Sequence, residues 1–228
     1  MDVRTEFVVG AGYAVYRGPT TDCSVHAHGA FQIAVAVRDA VAMKDSSGHT
    51  RSASALVVRP MARHRLLATD ELVTFFVEPQ CVFADRLREC CSGDITAAPE
   101  LAGLRATDIG QGGARSSTAL DPRLLDALTM LRERTVPMPL LAASVGLSPQ
   151  RLRALAREQV GMPLPRWRMW SRLRRAAEAL QDGHPLAEAA VTAGFADQAH
   201  LTRLMRDMMG LTPSAVLPAL RGQSLRAT

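Results

Sequence analysis

The chain is poor in several features that would settle its class. Among 228 residues there is one lysine, Lys44. No apolar run approaches the ~18 residues needed to cross a bilayer, which excludes a spanning helix as the organising element. Met1 to Gly10 starts acidic and lacks the basic-then-apolar order of a secretory signal, so the sequence places the chain in the cytoplasm, off the membrane. The four cysteines, Cys23, Cys81, Cys90 and Cys91, include no C-x-x-C pair, which argues against both a zinc clamp and a disulfide framework. They read as reduced thiols, with oxidant or soft-metal sensing the side reading for adjacent Cys90 and Cys91. There is no nucleophile triad, phosphate-binding loop or pair of carboxylates, so no enzyme is expected.

What is present is an ordinary globular composition, 47% hydrophobic and 21% charged. The charge is uneven. Residues 1–120 carry 12 basic against 13 acidic side chains, net −1, and residues 121–228 carry 15 against 9, net +6. Every basic residue of the second half is arginine, whose planar fork grips phosphates and guanine edges in pairs of hydrogen bonds. The asymmetry points to a polyanion as partner of the second half.

The two halves also differ in period. Tyr13–Tyr16, Phe31–Val37, Ala55–Arg59 and Leu72–Val77 are short apolar or β-branched runs, expected to be strands of a sandwich or small barrel. Arg17-Gly18-Pro19, Asp45 to Gly48 and Thr69-Asp70-Glu71 read as the turns between them, and Phe83–Cys91 as a short helix. Residues 92–120, rich in Gly, Ser, Thr and Ala, read as a loose linker. The fold class expected is therefore α+β, with residues 1–91 as one domain and 121–228 as an all-α second.

Within 121–228, Asp121-Pro122 opens a helix. Leu140–Val145, a turn at Gly146, and Pro149–Val160 capped by Ser148 then make a helix-turn-helix. A long helix from Pro165 to Asp182 follows, with Trp167, Trp170, Leu173, Ala177 and Leu180 as its apolar stripe. Leu186–Ala193, Gly194-Phe195 and Asp197–Met209 repeat the unit. Two second helices in one chain, near 149–160 and 197–209, suit successive major grooves. Leu141, Val145, Leu152, Leu155, Val191, Phe195, Leu201 and Leu204 are expected in the core, as are both tryptophans.

Gly194-Phe195-Ala196-Asp197-Gln198-Ala199-His200-Leu201, running through Arg203 to Gly210-Leu211-Thr212-Pro213, resembles the signature of the AraC/XylS family of bacterial transcription regulators. Leu141-Ala142 through Gly146-Leu147-Ser148 to Leu152 and Gly161 resembles that family's preceding unit. Leu201, Met205 and Asp207 depart from the usual pattern. The resemblance implies base-facing positions at Gln150, Arg153 and Ala154 and at Gln198, Ala199 and Arg203, with His200 nearby. Arg151, Arg157 and Arg206 fall to phosphates. Promoter DNA is then the partner, with RNA polymerase and a second copy of the chain as further candidates.

The first half resembles the cupin-like β-barrel that family members pair with such a domain. His26-Ala27-His28, Gln32, and Pro60 through His64 carry that likeness. Gln32 stands where metal-binding cupins usually have Glu, and Ala62 where a turn Gly is common. The resemblance implies an interior effector pocket at His26, His28, Phe31, Gln32, Ile33 and His64, with Val35, Phe75 and Val77 as further wall candidates. No cofactor is assigned; a divalent metal on His26, His28 and His64 is the alternative to a pocket-lining role. A metal-dependent cupin enzyme fused to a DNA-binding domain is the competing functional class.

Overall fold

The structure, a computed structural model, describes residues 5–20, 23–113, 115–209, 213 and 217. Nine strands open it: β1 (Glu6–Gly10), β2 (Tyr13–Thr20), β3 (Phe31–Ala36), β4 (Val41–Asp45), β5 (Thr50–Ala53), β6 (Ala55–Val58), β7 (His64–Leu66), β8 (Thr69–Val77) and β9 (Ile95–Ala97). They form a six-stranded sheet in the order β1-β2-β8-β3-β6-β9 and a three-stranded sheet β5-β4-β7. Every strand pairing is antiparallel. The two-residue side-chain period decides the layers. Ala34, Leu56, Val58 and Leu72 face the smaller sheet, where Val41, Met43 and Leu66 fill the space between. Phe31, Ile33, Val35, Phe75 and Val77 face the other way, onto helices α1 (Val82–Cys90) and α2 (Ala106–Gly113). Among the described strands the pairing gives two sheets rather than a closed ring.

The expected strands are all found, but two expected turns are not turns. Arg17-Gly18-Pro19 lies within β2 and Thr69-Asp70-Glu71 within β8. The β2–β8 ladder runs through both, pairing Arg17 with Val73, Gly18 with Leu72 and Thr20 with Thr69, and absorbs the irregularity as a bulge between Gly18 and Thr20. The segment read as a loose linker is also corrected. It supplies β9, a short 3-10 turn at Pro99–Leu101, and α2, whose Ile109 is fully buried. Asp85 of α1 then holds its end, accepting from the Ser117 hydroxyl at 2.5 Å and the Thr118 amide at 2.9 Å.

The remaining chain is helical: α3 (Pro122–Glu133), α4 (Met138–Ser144), α5 (Pro149–Leu155), α6 (Leu164–Gln181), α7 (Leu186–Thr192) and α8 (Gln198–Met209). α3 starts as expected, with the Asp121 carboxylate accepting from the Arg123 amide at 2.9 Å. α5 widens over Ala156–Val160 into a π-type turn, stopped by Gly161 at φ 79°. Gly210 and the Leu211-Thr212 steps of the family-like ending lie outside the described residues.

The two halves share a core. Phe7, Val9, Ala30 and Phe76 of the sheet side pack with Trp170, Leu173, Phe195, Leu201, Met205 and Met208 of the helices. The Gln181 amide brackets the β1 backbone, accepting from the Val9 N–H at 2.7 Å and donating to the Val9 carbonyl at 3.3 Å. Gly29 permits this approach: a Cβ there would lie 2.6 Å from the Trp170 Cβ. A buried ion cluster closes the other side of the seam. Glu78, 4% exposed, accepts from Arg132 at 2.9 Å and pairs with Arg174 at 3.2 Å. Gln80 donates to Glu78 at 2.8 Å and accepts from the Trp167 indole at 3.2 Å.

Candidate nucleic-acid interface and histidine cluster

The two helix-turn-helix units are built by the same backbone hydrogen bonds 48 residues apart. In the first, Leu147 N–H donates to Ala142 C=O at 2.9 Å and Gly146 N–H to Ala143 C=O at 3.1 Å. In the second, Phe195 N–H donates to Ala190 C=O and Gly194 N–H to Val191 C=O, both at 2.9 Å. This is the glycine-ended helix stop, and it needs the positive φ of Gly146 (67°) and Gly194 (86°). The units then diverge by one residue. Ser148 caps α5, accepting from Arg151 N–H at 3.2 Å, whereas Asp197 caps α8, accepting from His200 N–H at 2.7 Å.

Leu152 and Leu201, both 0% exposed, pin α5 and α8 onto their units. Gln150, Arg151, Arg153 and Arg157 on or just beyond α5 are exposed, and Ala154 half-buried. Gln198, Ala199, Arg203 and Arg206 on α8 are exposed; His200 is half-buried, edge-on to Phe195 at 5.3 Å between centroids. Arg153 follows its buried leucine by one residue and Arg203 by two. At about 100° per helical residue, the two guanidiniums therefore leave their helices in different directions. The expected core residues are buried or half-buried, with one exception. Val191 is 64% exposed, because α7 turns Ala189, Ala190 and Ala193 inward instead.

Between the units runs a strip of arginine. Arg153, Arg157 and Arg168 line one groove; Arg134, Arg168, Arg172 and Arg175 line the next, and the two grooves share Leu131, Thr135 and Arg168. Among the described residues none of Arg153, Arg157, Arg168, Arg172, Arg175, Arg203 and Arg206 has a carboxylate partner. Arg172 sits close enough to its like-charged neighbours that burial, and then Arg168 and Arg175, lower its pKa. An array of unneutralised guanidinium groups across both units is suited to a polyanion.

The residues expected to line a pocket in the first half separate. Phe31 and Ile33, with Val35, Phe75 and Val77, belong to the opposite face of the sheet, under α1, because they alternate with Gln32. His26 and His28 are not on a strand; they lie in the loop before β3 and converge because that loop bends. His26 is bridged to His64 by two backbone hydrogen bonds of 3.0 Å. All three rings are buried, with centroids 4.5–5.0 Å apart, and Gln32 adjoins them. Burial pushes the pKa of His26 down, that of His28 well down, and that of His64 to about 4, so the rings are neutral at pH 7. The crevice beside them, bounded by His26, Gln32, Leu66, Thr74 and Phe76, measures about 20 Å³, room for about one water.

A cavity roomier than this crevice lies at the seam between the halves. It measures about 280 Å³ and is bounded by Gly12, Glu78, Gln80, Arg115, Arg132, Trp167 and Arg174. Sequence reading missed it, since its walls come from five separate segments. α1 spends its apolar face on the sheet through Phe83, Ala84 and Leu87. Its Arg88 also reaches the Gln159 carbonyl at 3.2 Å. Burial, with Cys90 beside it, pushes the Cys91 thiol up to about 12, away from thiolate chemistry.

Residues 141–218 match the family described as a helix-turn-helix domain. The regulatory protein ada of Salmonella typhimurium is 32% identical over 100 residues, 43% of this chain, which spans 28% of that protein's length. Crystal structures of ToxT from Vibrio cholerae share the fold over nearly the whole chain. The O395 structure covers 92% of this chain and 99% of its own at TM-score 0.59 and 11% identity. A structure of wild-type ToxT with an unsaturated fatty acid bound covers 97% and 98% at TM-score 0.59 and 11% identity. No helix among the described residues is long and apolar enough to cross a membrane.

Proposed function

We propose, from the match of residues 141–218 to a helix-turn-helix domain family, that this chain is a sequence-specific AraC-type transcription regulator of promoter DNA. α5 and α8 read two successive major grooves, and a small-molecule effector held by the rest of the fold modulates them. The observation that carries this reading is the duplicated turn, followed in each unit by a second helix with exposed glutamine and arginine side chains. Gln150, Arg153 and Ala154 contact bases from α5; Gln198, Ala199 and Arg203 do so from α8, with His200 behind them. Glutamine fits adenine and arginine fits guanine through paired donors and acceptors. Arg151, Arg157 and Arg206 take phosphates, joined by the strip of Arg168, Arg172 and Arg175. α6, roughly 27 Å long at 1.5 Å per residue, is the strut between units, against a groove repeat of about 34 Å.

The effector belongs in the 280 Å³ cavity at the seam rather than beside the histidines. Arg132 and Arg174 are already paired with Glu78, and Arg115, which has no carboxylate partner among the described residues, is the guanidinium left to suit an anionic group. The fatty acid bound by ToxT makes an amphipathic carboxylate the class to try first. RNA polymerase and a second copy of the chain are the remaining partners, and no catalytic step is assigned.

Selection of random duplexes on the full chain tests this reading. The selected site is expected to bind about 10³-fold or more tightly than random DNA. With about six phosphates engaged, its affinity should fall with a log–log salt slope near −5. Binding that neither selects a sequence nor weakens with salt would contradict it.

A further inference from the structure

The three buried histidines are wired in the same sense. His26 Nδ1 lies 2.8 Å from the Ser24 carbonyl, His28 Nδ1 2.6 Å from the Met208 carbonyl, and His64 Nδ1 3.0 Å from the Ala62 carbonyl. A carbonyl only accepts, so each Nδ1 carries the proton, and in a neutral ring each Nε2 is left as a bare lone pair. One ring nitrogen from each of the three histidines lies within 4.8 Å of the others. His26 Nε2 and His28 Nε2 are 3.2 Å apart with no proton between them. His64 Nε2 is buried and has no partner at all. Gln32 adds a carbonyl oxygen 3.0 Å from His28 Nε2. Turning the Gln32 amide over would satisfy His28 alone and leave the other two rings unpaired.

Four electron-pair donors converging without a hydrogen between them are the donor set a Lewis acid takes. We propose that His26, His28 and His64, with Gln32 as fourth donor, bind one Zn2+, and that the bound ion fastens the end of α8 to the first half through the His28–Met208 hydrogen bond. Zinc–nitrogen bonds of 2.0–2.1 Å at tetrahedral angles separate ligand nitrogens by about 3.3 Å, which matches the 3.2 Å between His26 and His28, and His64, within 4.8 Å, has only a short way to close. Three imidazoles without carboxylate or thiolate favour Zn2+, Ni2+ or Cu2+ over Mg2+, Ca2+ or Mn2+, and four donors select the tetrahedral ion. Backbone carbonyls on the far ring nitrogens are the usual orienting partners of metal-bound histidine. One of these carbonyls here belongs to α8, five residues beyond Arg203. Ligation at His28 Nε2 fixes the tautomer that makes this bond; without the ion a proton moved to Nε2 would relieve the His26–His28 contact and set two acceptors face to face at Met208. The loop carrying His64 is itself held, since Met61 adopts φ 66° and donates to the His28 carbonyl at 2.8 Å. The ligand set stands independently of what α8 reads.

The test is Zn2+ titration of the chelator-dialysed full chain against a chromogenic chelator, with folding checked by circular dichroism. One equivalent is expected to bind. His64→Ala and His26→Ala should each weaken binding at least 100-fold, and His184→Ala, at an exposed histidine, should leave it unchanged. Gln32→Glu adds a compensating charge and should tighten binding at least tenfold, a gain that misfolding cannot produce. Amide exchange in α8 should slow with Zn2+ in the parent protein but not in His28→Ala. A folded parent that takes up no Zn2+, binding that survives loss of His64 and His26, or a folded Gln32→Glu that binds no tighter would overturn the site. An octahedral or square-planar rather than tetrahedral spectrum of the Co2+-substituted site would overturn the choice of a tetrahedral ion, and unchanged α8 exchange would overturn the coupling.

Discussion

Replacing Arg153 and Arg203 together by alanine is expected to weaken binding to the selected site by roughly 2–6 kcal/mol, about thirty-fold to ten-thousand-fold, while hardly changing binding to random DNA. Each bidentate arginine–guanine contact is worth about 1–3 kcal/mol of discrimination. The two sit on separate helices of separate units, so their effects should add. Because they leave their helices at different angles, the base positions they specify need not be equivalent in the two half-sites. Competition binding with single-base variants of the selected site measures this. Equal losses on selected and random DNA would make both arginines phosphate contacts and move sequence readout to Gln150 and Gln198.

Glu78→Ala should destabilise the folded chain by about 2–4 kcal/mol. Removing one partner of a buried ion pair typically costs about 3–5 kcal/mol, because the other charge stays behind. Here the Arg174 side chain, 11% exposed, loses its buried carboxylate but keeps Glu178 at 2.8 Å, and Arg132, 43% exposed, can turn toward water, so the cost falls below that range. Gln80 also loses its acceptor, and with it part of the hold on Trp167. The check is the denaturant midpoint at unchanged slope. A loss under about 0.5 kcal/mol would mean that the shared apolar core alone holds the seam.

Local chemistry was the legible part of this sequence. Asp121-Pro122, Gly146, Ser148-Pro149, Gly194 and Asp197 act within a few residues of themselves, through capping and positive-φ turns, and the helices begin and end where these residues say. Short apolar or β-branched runs likewise located β3, β6 and β8. What was not legible depends on partners distant in the chain. Gly18 and Pro19 look like a turn until β8 pairs across them. Ile109 looks like part of a linker until α1 and the sheet enclose it. Phe31 and Gln32 were grouped in one pocket though neighbours on a strand point to opposite faces, an inference the sequence already permitted. The seam around Glu78, Arg132 and Arg174 had no local signal: one carboxylate and two arginines separated by more than 50 residues carry no spacing rule. His28 and Met208, 180 residues apart, are the extreme case.

The central claim is that one chain presents two reading helices to one face of a duplex. Hydroxyl-radical and guanine-methylation footprinting of the full chain on its selected site tests it most directly. Two protected major-groove stretches on the same face, about 10–10.5 base pairs apart centre to centre, are the expected result. The proximal stretch should be lost in Arg153→Ala and the other in Arg203→Ala. A single protected stretch, lost with only one of the two substitutions, would contradict the account.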